Sequence, residues 1–291
     1  YLMPYPVLPY MASRGCYWGK CTFCTHSFIY DSHYRKENEE RVAEELDYLG
    51  KRYKTKYFTF SDEAISPNAF DRMSKAILSQ GVEMRALGML KFESDSIETV
   101  ELFKNMYKAG FLMLFFGLES ANDRILSIIE KGCDQATEKR VLENSSLAGI
   151  WNHLYLFFGF PTEEKHEAQE TIDFTVQHSE LGDGTIHSVG QSVFSLEKDS
   201  AIYHDPAKFQ INRILRDPER DMAIIFDYEI EKGMTKDEVL DVYENFDKTI
   251  ESNFPSRKTW NYLSREHFLL YLDHYGREEI LNMTRPLVQS T

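Results

Sequence analysis

Leu112-Met113-Leu114-Phe115-Phe116-Gly117 contains no charged and no hydroxylated side chain. A strand with one wet face alternates apolar and polar residues, whereas an unbroken apolar run belongs to a strand covered on both faces, as in parallel sheets. The same unit, a short apolar or β-branched run and then an amphipathic stretch of helical length, repeats outward in both directions. Upstream runs are Lys56–Ser61 and Val82–Leu87, with a further strand before the first cysteine; downstream runs are Leu154–Phe158 and His187–Phe194. Val42, Leu46 and Leu49 recur at helical spacing, and Gly50 is expected to close that helix. Ser66-Pro67 opens and Gly81 closes a helix carrying Phe70, Met73 and Ile77. A third stripe of Ile97, Val100, Phe103 and Tyr107 ends at Gly110, and a later helix is expected from about Thr162 to Leu181.

Six strand–helix units joined by right-handed crossovers make an α/β parallel sheet. Eight would close a full barrel, so residues 1–200 are expected to form a partial (β/α)6 parallel barrel. Residues 201–291 read differently. Thr235 and Glu238 form a capping box, and Phe268, Leu269 and Leu272 mark a second helix, so a C-terminal helical extension packed on the barrel is expected.

The 291 residues carry 47 acidic and 33 basic side chains, a net charge of −14, which argues against a nucleic-acid partner. No apolar run is long enough to span a bilayer, and a membrane partner is not expected. The chain begins at Tyr1 rather than at an initiator methionine and is expected to be a segment of a longer protein. Three of its 4 cysteines lie within nine residues, a poor disulfide framework and a good metal loop, which suits a reducing, cytoplasmic setting.

That loop is Ser13-Arg14-Gly15-Cys16-Tyr17-Trp18-Gly19-Lys20-Cys21-Thr22-Phe23-Cys24. It follows the first strand, at the end where barrel enzymes place their chemistry. Cys16, Cys21 and Cys24 can wrap one face of a metal centre, with Gly15 and Gly19 permitting the tight turns. Three thiolates leave one metal position unfilled by local sulfur, as a catalytic cluster requires. Two plainer readings compete: a structural zinc site with His26 as fourth ligand, and ordinary buried thiols.

The loop resembles the cluster motif of radical S-adenosylmethionine (SAM) enzymes, in which three cysteines bind a [4Fe-4S] cluster and an aromatic residue precedes the third. The family's usual spacing is three residues and then two; here it is four and then two. Ser-Arg-Gly-Cys followed by Cys-Thr-Phe-Cys is similar to the cobalamin-associated subgroup, whose members often carry a cobalamin-binding domain upstream.

Further segments fit the resemblance. Asp62-Glu63 ends the second strand, where the family places a group that bonds the SAM ammonium; the plainer reading is a solvated acidic turn. Glu119-Ser120, in Phe116-Gly117-Leu118-Glu119-Ser120, matches a Gly-Leu-Glu-Ser segment that reaches the ribose hydroxyls; as structure alone, Ser120 could cap a helix. Gly159 and Pro161, in Phe158-Gly159-Phe160-Pro161-Thr162-Glu163, match the segment lying against adenine, with Thr162 a candidate helix cap and Phe23 the other adenine neighbour. Lys91 is a candidate partner for the SAM carboxylate, against the plainer reading of a solvated lysine. His26, His33, Tyr34 and Arg35 follow the loop and could line the site, and Cys133, standing alone, is read as a bystander.

The resemblance implies that Cys16, Cys21 and Cys24 hold three irons and that SAM chelates the fourth. Reductive cleavage of SAM then yields a 5′-deoxyadenosyl radical, which abstracts hydrogen from a substrate at the barrel mouth. It implies a reductant such as a flavodoxin or ferredoxin, and cobalamin-linked methylation or another carbon-centred modification. The alternatives are a radical SAM methylthiotransferase and a non-catalytic, zinc-stabilised binding module.

Overall fold

The computed structural model describes residues 3–29, 33–93, 98–216, 219 and 222–284. Six strands form one sheet in sequence order: β1 (Val7–Tyr10), β2 (Tyr57–Phe60), β3 (Arg85–Leu90), β4 (Phe111–Glu119), β5 (Trp151–Phe158) and β6 (Ser188–Val193). Every neighbouring pair is parallel. Phe116 of β4 stands opposite Leu90 on one side and Leu154 on the other, so the all-apolar stretch Leu112–Gly117 lies mid-sheet.

Both faces of the sheet are covered. One carries Phe58, Ala86, Leu114, Phe116 and Leu154 into a core shared with helices Glu39–Tyr53, Pro67–Gln80 and Val100–Ala109. The other sets Tyr57, Leu87, Met113, Phe115 and Trp151 against Phe268, Leu269 and Leu272 of helix Arg265–Tyr275. The last helices therefore pack on the sheet, as expected of the extension. Helix Lys236–Asn253 opens on the Thr235/Glu238 capping box and buries Val239, Phe246 and Ile250 in the first core.

Several boundaries move for local reasons. Gly50 lies inside helix Glu39–Tyr53, which ends at Lys54 in the left-handed region, with the Lys54 N–H bonded to the Gly50 carbonyl. Gly81 does close its helix, but Val82 N–H bonds back to Ile77 O, which delays β3 to Arg85. Ile97 lies outside the described residues, and Tyr107 is half exposed. Thr162 caps nothing: the following helix starts at Lys165 behind a capping box made by Glu164 and Glu167. Between the barrel and the last helices, three strands not anticipated in the sequence, Leu196–Glu197, Ile211–Leu215 and Ile225–Ile230, form a small antiparallel sheet.

Candidate functional site

The cysteine loop leaves β1 at the carboxyl edge of the sheet. A two-residue ribbon, Ser13–Arg14 against Arg35–Lys36, brackets it. Asp62, just past the end of β2, fixes its root: one carboxylate oxygen accepts from Ala12 N–H at 3.2 Å, and the other accepts from both Ser13 N–H and Ser13 Oγ at 2.5 Å. Asp62 is buried, which raises its pKa, and both its oxygens are engaged by the loop. It is not a solvated turn residue. Glu63, at the same strand end, is half-buried.

Gly15 (φ 82°) and Gly19 (φ 61°) turn the loop through backbone conformations that side chains disfavour. Its far side is bolted to the segment after β4. Thr22 N–H donates to Ile129 O at 3.0 Å, Thr22 Oγ1 to Ile128 O at 3.4 Å, and Trp18 Nε1 to Glu130 O at 2.8 Å. The Trp18 ring rests on Gly132, where a Cβ would overlap it. Lys91 Nζ and Lys20 Nζ lie 4.2 and 4.6 Å from its centroid. The longer first cysteine spacing thus contains the residue that anchors the loop.

Cys16, Cys21 and Cys24 are half-buried free thiols. Burial raises Cys21 and pushes Cys24 up to about 11; Cys21 also feels the charge of Cys16, and Cys24 that of Cys21 and Cys16. Among the described residues, no three His, Cys, Asp or Glu side chains converge closely enough to hold one ion. Three soft donors grouped on one loop fit a multinuclear iron–sulfur cluster, in which separate irons take separate thiolates.

Beside Cys24 lies a cavity of about 330 Å³ lined by Phe23, His26, Phe157, Phe194 and Glu197 among others. Phe23 meets Phe157 edge to face at 5.1 Å, and Phe157 and Phe194 centroids are 5.7 Å apart. An aromatic-walled slot of this kind suits a flat heterocycle. Phe157 and Phe194 escaped the sequence reading because both look like core residues; only their places at strand ends could have marked them.

Past the middle of β4 the register against β5 slips between Gly117 and Glu119, and Glu119 takes φ 64°. Bulges re-aim side chains in this way. One Glu119 oxygen pairs with Lys131 Nζ at 2.9 Å, with both side chains largely buried. Ser120 is fully buried; its hydroxyl lies 3.2 Å from Thr171 Oγ1 and accepts from Asn122 N–H, while Asn122 itself caps the next helix. Lys91 is buried rather than solvated, donating to Phe92 O at 2.7 Å beneath Trp18. Gly159 (φ 84°) donates to Glu163 Oε2 at 2.6 Å, and a Cβ there would come within 2.7 Å of Val239. Its bare Cα thus faces the extension, and Pro161 is buried behind it. Tyr34 is half-buried and stacks edge-on with Tyr17, whereas His33 and Arg35 are exposed. Cys133 lies 3.9 Å from buried Glu138, and burial raises its pKa far beyond the usual thiol range.

Residues 10–175, more than half of the chain, match the Radical SAM superfamily. An uncharacterized methyltransferase of Pyrococcus horikoshii is 30% identical over 167 residues, 56% of this chain and 35% of that protein. A putative methylthiotransferase of Methanocaldococcus jannaschii is 28% identical over 180 residues, 58% of this chain and 39% of its own. Among solved structures, the cobalamin-dependent SAM radical enzyme OxsB, with aqua-cobalamin and SAM bound, superposes with a TM-score of 0.67 at 16% identity, over 95% of this chain and 46% of that one. The radical SAM methyltransferase TsrM from Kitasatospora setae, with cobalamin and a [4Fe-4S] cluster bound, gives 0.65 at 14% identity, over 96% and 61%. The chain thus spans little more than a third of the curated relatives it matches and less than half of OxsB.

Proposed function

The chain belongs to the radical SAM superfamily, and from that premise we propose that it is the SAM-cleaving part of an enzyme for cobalamin-linked methylation or another carbon-centred modification. The observation that carries this is the loop of three cysteines, braced at the carboxyl edge of a six-stranded parallel sheet beside an aromatic slot.

In this reading Cys16, Cys21 and Cys24 hold the [4Fe-4S] cluster and keep one iron open to SAM. When bound, the two supply an electron and the scissile C5′–S bond from which a 5′-deoxyadenosyl radical arises. The chain's own residues bind and orient. Phe23, Phe157 and Phe194 flank the adenine, and Gly159 and Pro161 shape the turn behind them. Glu63 accepts from the SAM ammonium, with Asp62 holding the loop in register beside it. Glu119 uses the oxygen that Lys131 leaves to bond a ribose hydroxyl, and Ser120 fixes the bend that presents it. Lys91 acts beneath the loop, through Trp18, rather than on the SAM carboxylate.

Residues 1–200 serve as the radical SAM barrel and 201–291 as its C-terminal extension, with a cobalamin-binding domain supplied by sequence upstream. A flavodoxin- or ferredoxin-like reductant supplies the electron in the cytoplasm, and the acidic balance disfavours nucleic acid as substrate. No helix among the described residues is long and apolar enough to cross a membrane. The Methanocaldococcus jannaschii relative supports a second reading, methylthio transfer, which a sulfur-containing product would distinguish.

The test is anaerobic reconstitution with iron and sulfide, reduction, and chromatography for 5′-deoxyadenosine. About four irons and four sulfides per chain and SAM-dependent product are expected. Cys21→Ala and Cys24→Ala should each abolish the product. A colourless protein with stoichiometric zinc, or product retained by either variant, overturns the reading.

A further inference from the structure

We propose that His153, in the middle of β5, positions the substrate: its Nε2–H donates to an uncharged acceptor, a carbonyl or ring nitrogen, on a planar molecule. The inference rests on the radical SAM reading of the cysteine loop and adds the chemical class of what reacts beneath it.

One row of β5 side chains joins the extension to the cysteine loop. Trp151 packs edge to face on Phe268 of the extension at 4.8 Å, and Phe157 meets Phe23 of the loop at 5.1 Å. Alternation along the strand sets His153 and Tyr155 between them on the same side. At about 3.3 Å of rise per residue, His153 lies about 13 Å along β5 from Phe157. A molecule held at His153 therefore extends past Tyr155 toward the loop. Rings wall this row. The Phe115 centroid lies 5.0 Å from that of His153 and stacks on Tyr155 at 5.7 Å and 11°, and the Trp260 centroid lies 6.4 Å from His153. Such walls suit a flat, apolar body oriented by a few polar groups.

The hydrogen bonds fix which ring nitrogen carries the proton. Trp151 Nε1, a donor only, gives its hydrogen to Ser188 Oγ at 2.8 Å. Ser188 is fully buried, and among the described residues its own hydrogen has one acceptor, His153 Nδ1 at 2.7 Å. The proton therefore sits on Nε2. Neither Nε2 nor the Tyr155 hydroxyl bonds a described residue. Gly190 of β6 keeps the space before Nε2 clear: a Cβ there would stand 3.3 Å from Nε2 and 3.0 Å from the Tyr155 ring. Thr59 of β2, on the same side of its strand as Tyr57, also buries a hydroxyl that meets no described partner. Buried polar groups are almost always paired, and a ligand accounts for those left open. Burial holds the His153 ring neutral, lowering its pKa to about 3. Arg265, the charge that lowers it further, is 56% exposed and lies 3.5 Å from Glu266. A neutral donor here favours an uncharged acceptor over a carboxylate, whose charge would be buried without a free partner.

The experiment takes the reconstituted full chain with isotope-labelled histidine, long-range proton–nitrogen correlation spectra, calorimetry, and benzamide as the probe. The His153 ring is expected to be protonated at Nε2. Benzamide should shift that signal, benzoate should bind more weakly, and benzylamine should leave the signal unmoved. His153→Leu and Gly190→Ala should each weaken benzamide binding about five- to tenfold, and His153→Gln, which keeps an N–H, should recover most of the loss. A ring protonated at Nδ1, benzoate bound as tightly as benzamide, or affinity unchanged by His153→Leu or by Gly190→Ala overturns the proposal. If His153→Leu does not fold, Gly190→Ala decides alone. A chain that takes up no iron yet shifts His153 with benzamide counts against the radical SAM reading, whereas a normal cluster with an unmoved His153 signal counts against this inference alone.

Discussion

Two additions rest on the carboxyl end of the parallel sheet, and they are built to opposite standards. The cysteine loop is tied at both ends: its root to Asp62, its crown to residues 128–132, with two glycines in conformations other residues resist. The small antiparallel sheet of the extension is looser. Its strand Ile225–Ile230 alternates exposed and half-buried along its whole length, and ion pairs such as Arg213–Glu229 lie in solvent. Positions in the loop are specified atom by atom, while positions on the small sheet need only a pattern.

The contrast breaks first at Gly132. Valine there would overlap the Trp18 ring and would force a β-branched residue to φ 74°. Backbone strain alone is about 1–3 kcal/mol, and a displaced Trp18 also loses its bond to Glu130 O and its contact with Lys91. Gly132→Val is expected to cost about 3 kcal/mol or more by chemical denaturation and to lower iron retained after reconstitution severalfold.

Asp62→Ala comes next. It strips the acceptor from two backbone N–H groups and a hydroxyl at the loop root, at about 1–3 kcal/mol for such losses. Asp62→Asn keeps one acceptor oxygen and should recover about half of that cost. Matching losses in the two variants would mean that the carboxylate's charge, rather than its bonds to the loop, holds this corner.

These two sites also show what the sequence could and could not convey. The barrel was legible because a strand buried on both faces has no polar positions, as in Leu112–Gly117, and because Ser66, Pro67 and Gly81 punctuate a helix by local chemistry. The cysteines were legible through their clustering. What each neighbouring side chain does was not, because that depends on partners far away in the chain. Asp62 looks like a free acid until Ala12 and Ser13 arrive, and Lys91 looks solvated until Trp18 covers it. The small sheet was missed although Phe226, Tyr228 and Ile230 keep a period of two, because its strands are short and the capping box at Thr235 and the Phe268–Leu272 stripe drew the whole extension toward a helical reading.

Glu163 sharpens the comparison where the parallel sheet meets the extension, with Met234 N–H bonded to Glu163 O and Thr162 N–H to Lys232 O. Burial holds its carboxyl up at about 8, against 4.5 in the unfolded chain. Gly159 N–H and Arg124 pull the other way, and Glu167 adds to the rise. A carboxyl raised on folding favours the fold while it stays protonated in both states. That advantage is complete below about pH 4.5 and is lost as pH climbs through 8. Glu163→Gln is therefore expected to match the wild type near pH 5 and to exceed it in urea stability at pH 8. A variant equally stable or weaker at pH 8 would show that folding does not raise this carboxyl.

The smallest effect belongs to the extension. Arg213 and Glu229 pair at 2.7 Å across the strands, yet they are 65% and 52% exposed. Solvent and salt screen such a pair, and holding two long side chains together costs rotamer freedom, so exposed pairs contribute about 0–1 kcal/mol. Arg213→Ala should change denaturant stability by no more than about 0.5 kcal/mol, and the difference should vanish in high salt. Iron retention should not change, since no bond from Arg213 reaches the loop seam. A loss comparable to that of Asp62→Ala would place the small sheet among the elements that brace the cysteines and would erase the distinction between the two regions.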